Sequence, residues 1–229
     1  MHAAGVLHRA ITPDRLLLAP DGRACLTGFG HAATLSDAEA APNHGEAAWD
    51  EDCFHYMAPE LGARMNLRVD ARADLYSLGC VLYELLTGRP PFQGEDAAVR
   101  VHAHATRTAR APGELVADVP EQLSLLIMKL LEKAPEQRYG DAAGVLADLR
   151  RCDTLLRERG SIPRFVLDAH SALRRLPSLT RVLGRDAELE SLLALYSGVA
   201  LDARSRVAWV SGDPGIGKST LLLQALANL

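Results

Sequence analysis

The stretch His8-Arg9-Ala10-Ile11-Thr12-Pro13-Asp14-Arg15, followed by the apolar run Leu16-Leu17-Leu18, decides the fold when it is combined with four later stretches. In chain order these are Leu26-Thr27-Gly28-Phe29-Gly30, Tyr56-Met57-Ala58-Pro59-Glu60, Asp74-Leu75-Tyr76-Ser77-Leu78-Gly79 and Lys133-Ala134-Pro135-Glu136-Gln137-Arg138-Tyr139. All five lie within the first 139 residues of a 229-residue chain. They therefore set the fold of its larger part.

Helical patterns surround these stretches. A strongly apolar helix is predicted within residues 69–88, where Gly88 and the following prolines end it. Apolar residues at helical spacing predict two more helices, over residues 121–132 and 141–158. The segment 159–180, which contains glycine and prolines, is typical of a linker.

The composition indicates a soluble, cytoplasmic protein. Apolar residues make up 48% of the chain and the net charge is -4, so neither nucleic acid nor an anionic membrane surface is an expected partner. No apolar run approaches the roughly 20 residues that span a bilayer. The four cysteines lack metal-site spacing, so we expect reduced structural thiols. His102 and His104 are expected on a solvated face, and residues 50–52 as an exposed acidic patch.

The five stretches resemble the C-terminal lobe of protein kinases. They correspond to its H-R-D-x-K-P-x-N catalytic loop, its D-F-G, A-P-E and D-x-x-S-L-G elements and its K-x-P-x-x-R-Y element. Five matches in the family's order make a chance resemblance implausible. The resemblance implies structural roles for His8, Arg9, Glu60, Asp74 and Arg138. It also implies that Glu60 and Arg138 form a buried ion pair and that His8 packs against the loop and hydrogen-bonds it.

The residues that perform the family's chemistry are replaced. Ala10 stands at the position of the proton-accepting Asp, Thr12 at the Lys, Arg15 at the magnesium-binding Asn and Gly28 at the D-F-G Asp. A general base is worth about 10²–10⁴-fold in rate, and Ala10 cannot act as one. Asp14, four residues later, is expected at the surface rather than as a substitute. The resemblance therefore implies a pseudokinase.

The N-terminal lobe is expected to be absent, because Met1 lies directly before the catalytic loop. In the family that lobe carries the glycine-rich loop and a Lys that anchors ATP. No Lys precedes Lys129 in this sequence. We therefore expect the kinase nucleotide site to be incomplete.

A second nucleotide motif lies near the end of the sequence. Residues 212–219 match G-x-x-x-x-G-K-[ST], and residues 207–210 predict a buried strand before the loop while residues 219–227 predict a helix after it. Such a loop binds ATP with Mg²⁺: backbone N–H groups surround the phosphates, Lys218 neutralises the β- and γ-phosphates and Ser219 binds the metal. The predicted nucleotide-binding residues are Gly212, Gly215, Gly217, Lys218, Ser219 and Thr220.

Residues 183–189, with a helix predicted over about 186–196, resemble the G-R-E-x-E-L box that opens AAA-type ATPase domains. The sequence ends before any Walker B carboxylate, so we expect ATP binding but no hydrolysis by this fragment. The predicted fold class is mainly α, a kinase-like C-terminal lobe, followed by the beginning of an α/β P-loop NTPase domain. The predicted domains are residues 1–158, a linker over 159–180, and residues 181–229.

This order of domains resembles bacterial fusion proteins that join a Ser/Thr-kinase-like domain, an AAA-type ATPase and often a sensor histidine kinase. The resemblance implies a signalling fragment in which a pseudokinase lobe and an ATP-binding switch regulate a downstream histidine kinase, with ATP and other signalling domains as partners. A helix-turn-helix output module remains possible. Two alternatives stay open: an active Ser/Thr kinase that tolerates unusual residues, and an ATPase whose kinase lobe is a docking surface.

Overall fold

The computed structural model describes residues 1–34, 49–62, 69–169, 185–202, 207–212, 217–218, 221–222 and 225. The chain divides into two units, Met1–Ser171 and Ala172–Leu229. The first unit is mostly helical, with short antiparallel strand pairs near its beginning.

The strand pairs of the first unit position the segment around Gly28. Strand β1 (Val6–Leu7) pairs with β4 (Ala33–Thr34), and β2 (Leu16–Leu18) pairs with β3 (Ala24–Leu26). The second pair continues past its last strand residues, because the N–H of Thr27 donates to the carbonyl of Arg15 at 2.9 Å. As a result, residue 28 lies beside Arg15.

Helix α1 (Ala71–Thr87) forms the centre of the core and confirms the helix predicted within residues 69–88. It begins at Asp70, whose side chain caps the first turn by accepting the N–H of Arg72. It ends at Gly88, which adopts the left-handed conformation (φ 75°) that glycine accepts without strain. Its inward face packs against the neighbouring helices, with Tyr76 and Cys80 fully buried.

The remaining helices of the first unit are α2 (Ala97–Thr106), α3 (Pro112–Leu115), α4 (Glu121–Leu130) and α5 (Ala142–Arg159). Helices α4 and α5 confirm those predicted over residues 121–132 and 141–158. Helix α4 packs on α1 and contributes Leu126 and Leu130, both fully buried. The amphipathic pattern of α4 therefore correctly predicts which of its residues face the core.

The chain after α5 stays attached to the first unit as far as the structure describes it. Gln122 accepts the N–H of Phe165 at 3.3 Å and donates to its carbonyl at 2.9 Å. The carboxylate of Asp148 accepts both the hydroxyl of Tyr139 and the N–H of Asp168, each at 2.8 Å. The expected linker thus begins with a segment that makes specific contacts.

In the second unit, α6 (Asp186–Asp202) confirms the helix predicted from residue 186 and is longer than expected. The described residues Lys218, Leu221, Leu222 and Ala225 are helical, in agreement with the helix predicted after the loop. The prediction of a buried strand over residues 207–210 is wrong: no strand is assigned there, and Val207 and Trp209 are 91% and 89% exposed. A strand forms by pairing, and no described residue pairs with this segment.

Candidate functional site

The loop of residues 8–15 is held by Asp74 in the first turn of α1. Its carboxylate accepts the backbone N–H of His8 at 2.9 Å and that of Arg9 at 2.7 Å, and it contacts Nε2 of His2 at 2.7 Å. These bonds fix Arg9 at φ 64°, a left-handed conformation that costs a residue with a Cβ about 1–2 kcal/mol. Asp74 thus ties the loop to the beginning of α1.

His8 connects this loop to the segment around Gly28. Its ring is fully buried, contacts the carbonyl of Thr27 through Nε2 at 2.8 Å and meets the ring of Phe29 edge-on at 4.8 Å. Within the loop itself, His8 accepts the N–H of Ala10 through Nδ1 at 3.4 Å. Arg9 is also buried and donates from Nε to the carbonyl of His31 at 2.7 Å. Burial lowers the pKa of Arg9, and the charge of Asp74 opposes that change.

Arg15 fills the centre of the site. Its side chain, 13% exposed, donates to the carbonyl of Ala10 at 2.9 Å and to the carboxylate of Asp50 at 2.5 Å. Its aliphatic part covers Gly28: a Cβ at that position would lie 2.8 Å from Cδ of Arg15. Gly28 has φ 77°, so a side chain there would meet both backbone strain and a steric contact. The side chain of Arg15 thus occupies the space into which a side chain at residue 28 would project.

The other replaced positions contribute no catalytic group. Ala10 is buried and offers a methyl group. Thr12 is also buried, and its hydroxyl makes no hydrogen bond with any described residue. Asp14 is exposed, as predicted. The sequence did not predict the contact between Arg15 and Asp50, because 35 residues separate them and no local pattern connects them.

The ion pair expected between Glu60 and Arg138 is present. Both side chains are 0% exposed, and the guanidinium donates to the two carboxylate oxygens at 2.5 and 2.8 Å. Arg138 also donates to the carbonyls of Arg72, Glu132 and Lys133. This network ties the A-P-E segment to α1 and to the loop after α4, so the frame of the lobe is intact.

The prediction for the two histidines of α2 is wrong for one of them. His102 is exposed, whereas His104 is fully buried and shares a hydrogen bond with the hydroxyl of Tyr76 at 2.9 Å. Residues two apart on a helix point about 200° apart, so one faces the core when the other faces water. Burial lowers the pKa of His104 to about 3. The acidic patch at residues 50–52 is exposed, as predicted, but Asp50 and Glu51 each pair with an arginine.

In the second unit, the structure describes three of the predicted nucleotide-binding residues. Gly212 and Gly217 have φ of 154° and 90°. Lys218 donates from Nζ to the carbonyl of Gly212 at 2.8 Å, so the lysine lies against the start of its own loop. Gly215, Ser219 and Thr220 lie outside the described residues. Their roles with ATP and Mg²⁺ stay predictions.

The loop held by Asp74, the buried pair of Glu60 and Arg138 and the helices packed around α1 define a lobe like the C-terminal lobe of protein kinases. The family model for the protein kinase domain matches residues 1–148, more than half of the chain. The chain belongs to the protein kinase domain family.

Relatives from several organisms agree with this assignment. The chain is 35% identical over 150 residues to serine/threonine-protein kinase PknB of Mycolicibacterium smegmatis, covering 66% of this chain and 23% of that protein. It is 33% identical over 148 residues to a probable PknB of Bifidobacterium longum, covering 65% and 21%. It is 32% identical over 192 residues to hybrid signal transduction histidine kinase G of Dictyostelium discoideum, covering 75% and 6%.

The chain spans less than a quarter of the length of these relatives. Among the residues that the structure describes, no helix is long and apolar enough to cross a membrane.

Proposed function

We propose that this chain is a pseudokinase part of a signalling protein, in which the kinase-like lobe transmits regulation without transferring phosphate. ATP with Mg²⁺ binds instead at the loop of residues 212–219. The lobe and this ATP-binding unit act together on a downstream module, a histidine kinase in the leading interpretation.

The position of Arg15 carries this proposal. Phosphoryl transfer in the family depends on Mg²⁺ held by the D-F-G Asp and the catalytic-loop Asn. Here the Asn position supplies a cation, and its side chain lies over Gly28 and pairs with Asp50. A magnesium ion at that point would have neither a carboxylate ligand from residue 28 nor an amide oxygen from residue 15. A replacement of the D-F-G Asp alone would have left the neighbouring space free, whereas here the side chain of Arg15 fills it.

Two observations support a regulatory role for the lobe. Its buried network of Glu60 and Arg138 is complete, although removing one partner of such a pair costs about 3–5 kcal/mol. The similarity to the Dictyostelium histidine kinase covers 75% of this chain, a larger part than the residues 1–148 that match the kinase model. A fold maintained at this level is suited to binding and to relaying a conformational change.

A phosphotransfer assay tests the proposal. The full-length protein is incubated with radiolabelled ATP and Mg²⁺, with and without protein substrates, beside a Lys218→Ala variant. We expect no transfer above background from either protein, whereas ATP should raise the melting temperature of the parent and not that of Lys218→Ala. Robust transfer that persists in Lys218→Ala would contradict the pseudokinase assignment.

The second candidate is an active Ser/Thr kinase, favoured by the bacterial relatives, whose names are those of serine/threonine kinases. It predicts the Lys218-independent transfer just described. In a third candidate function, the ATP-binding unit carries the activity and the kinase-like lobe is a docking surface. An assay of the signalling output distinguishes this function from the other two. Lys218→Ala would then abolish the output, and restoring Asp at positions 10 and 28 would leave it unchanged.

A further inference from the structure

Three potential metal ligands meet beside the degenerate kinase centre. His31 lies at the end of the helical turn Phe29–His31, Asp50 precedes the turn Glu51–His55 and Cys53 lies within it. One ligand atom from each of the three side chains lies within 4.8 Å of the other two. The cluster has no local signature in the sequence, because His31 lies 19 positions before Asp50 and the three residues do not have the spacing of a known metal motif.

We propose that His31, Asp50 and Cys53 bind a zinc ion. The imidazole nitrogen, carboxylate oxygen and thiolate sulfur are together the ligands that Zn²⁺ accepts, whereas Mg²⁺ takes oxygen ligands. Zn²⁺ binds three protein ligands and leaves a fourth position to water. The site therefore differs in chemistry and in residues from the magnesium site that the kinase family uses.

Neighbouring side chains orient two of the three ligands. The ring of His31 stacks on Trp49 with 4.5 Å between centroids and 2° between planes, which restricts its rotation. Arg15 holds Asp50 through Oδ2, which leaves Oδ1 for a metal. Carboxylates that bind a metal are usually oriented by hydrogen bonds from residues that do not bind it themselves. Arg15 thus orients the carboxylate of Asp50 in the cluster.

The distances require a modest local adjustment. Zinc bonds of about 2.0–2.3 Å place tetrahedral ligand atoms about 3.3–3.8 Å apart, so the largest separation in the cluster must shorten by about an ångström. Asp50 is exposed and Cys53 lies on a short turn, so this closure moves one turn and not the core. Zinc binding converts the Cys53 thiol to a zinc-bound thiolate and releases its proton to solvent, with no change of oxidation state.

The charges near the ion are also acceptable. The thiolate and Asp50 offset the two charges of Zn²⁺, and Arg15 adds one positive charge. Among the charged groups around Cys53, Arg15 acts on it most strongly, and the carboxylates of Asp50 and Asp14 oppose the guanidinium. These carboxylates compensate for the guanidinium.

Cobalt substitution tests the site directly, because Co²⁺ bound to a thiolate has a charge-transfer absorption and tetrahedral d–d bands. The full chain is freed of metal with a chelator and titrated with Co²⁺, and Zn²⁺ is then added as competitor. We expect one Co²⁺ per chain with a thiolate band that Zn²⁺ displaces. Cys53→Ser should lose the band, whereas Cys25→Ser, a change at an exposed cysteine, should keep it.

Two surface-accessible changes keep the test independent of the buried cysteine. Asp50→Asn and His31→Gln should weaken zinc binding by more than the about 10–100-fold that changes outside the ligand set cause. Arg15→Gln, which removes the ion pair and keeps all three ligands, should stay within that range. Absence of a band at stoichiometric Co²⁺, a band that persists in Cys53→Ser, or unchanged affinity in Asp50→Asn and His31→Gln would each overturn the proposal.

Discussion

The contact between Arg15 and Gly28 can be measured by a double-mutant cycle. In Gly28→Ala the new methyl group lies 2.8 Å from Cδ of Arg15, closer than carbon atoms pack. The arginine must move and give up its bonds to Ala10 and Asp50. Gly22→Ala is the matched control, because Gly22 also has positive φ (80°) but has nothing within 4 Å of its Cβ position.

The magnitudes follow from these two differences. A left-handed conformation costs a residue with a Cβ about 1–2 kcal/mol, and this is the whole effect expected for Gly22→Ala. Hydrogen bonds that involve a charged group contribute about 1.5–3 kcal/mol when buried, less where one partner is exposed, as Asp50 is. We therefore expect Gly28→Ala to cost about 2–4 kcal/mol. In an Arg15→Ala background the same change should cost only about 1–2 kcal/mol.

Urea denaturation followed by circular dichroism measures the four free energies of unfolding. The expected coupling between positions 15 and 28 is about 1–2 kcal/mol, well above the about 0.3–0.5 kcal/mol within which independent sites add. If Gly28→Ala and Gly22→Ala have equal effects in both backgrounds, Arg15 does not occupy the space next to residue 28. The structural basis for the pseudokinase proposal would then be lost.

Three further predictions concern stability. Glu60→Ala should cost about 3–5 kcal/mol, because it leaves Arg138 buried without its carboxylate partner. In the same denaturation assay Asp153→Ala, which removes an exposed pair with Arg157, should leave the unfolding midpoint nearly unchanged. His104 has a pKa of about 3 in the folded state and 6.5 in the unfolded state, so the unfolded state binds more protons between these pH values. The free energy of unfolding should therefore fall as the pH drops below 6.5, by up to about 5 kcal/mol at pH 3. Melting curves of His104→Asn should show a smaller loss at acid pH, and an acid profile identical to that of the parent would contradict this. Burial lowers the pKa of Lys133 to about 8, so the free energy of unfolding should rise from pH 8 towards pH 10.5. At pH 7, Lys133→Met should be more stable than the parent by roughly 1 kcal/mol after allowance for solvent screening, and it should melt at a higher temperature. A lower melting temperature at pH 7 would show that the charged amine is stabilising.

The contacts that could be predicted from the sequence are those carried by motifs. The pair of Glu60 and Arg138 is 78 residues apart, yet both members lie in recognisable elements, so their meeting was expected. The helices were predictable for a simpler reason. Their apolar residues recur at the spacing of a turn, and end signals such as Gly88 are local.

The remaining contacts depend on tertiary position and leave no trace in a local pattern. Arg15 replaces an Asn in its motif, but nothing near either residue indicates that it pairs with Asp50. The pattern His-Ala-His does not show which histidine faces the core, because residues two apart on a helix point about 200° apart. Apolar character alone predicted a buried strand over residues 207–210, and burial requires a partner that no described residue supplies.

The pattern of preserved and lost residues argues for a maintained scaffold. Buried charges are the contacts that tolerate change least, since losing one partner leaves the other desolvated and unpaired. Asp74 still supports the strained backbone of Arg9 with two hydrogen bonds, and the pair of Glu60 and Arg138 is complete. The replacements fall instead on positions whose side chains act on substrate and metal in the family. Arg15 then gives the vacated space a specific structure through its contacts with Ala10 and Asp50. A lobe drifting without function would lose its costly internal contacts as readily as its catalytic ones, so the separation between the two sets favours a role that depends on shape.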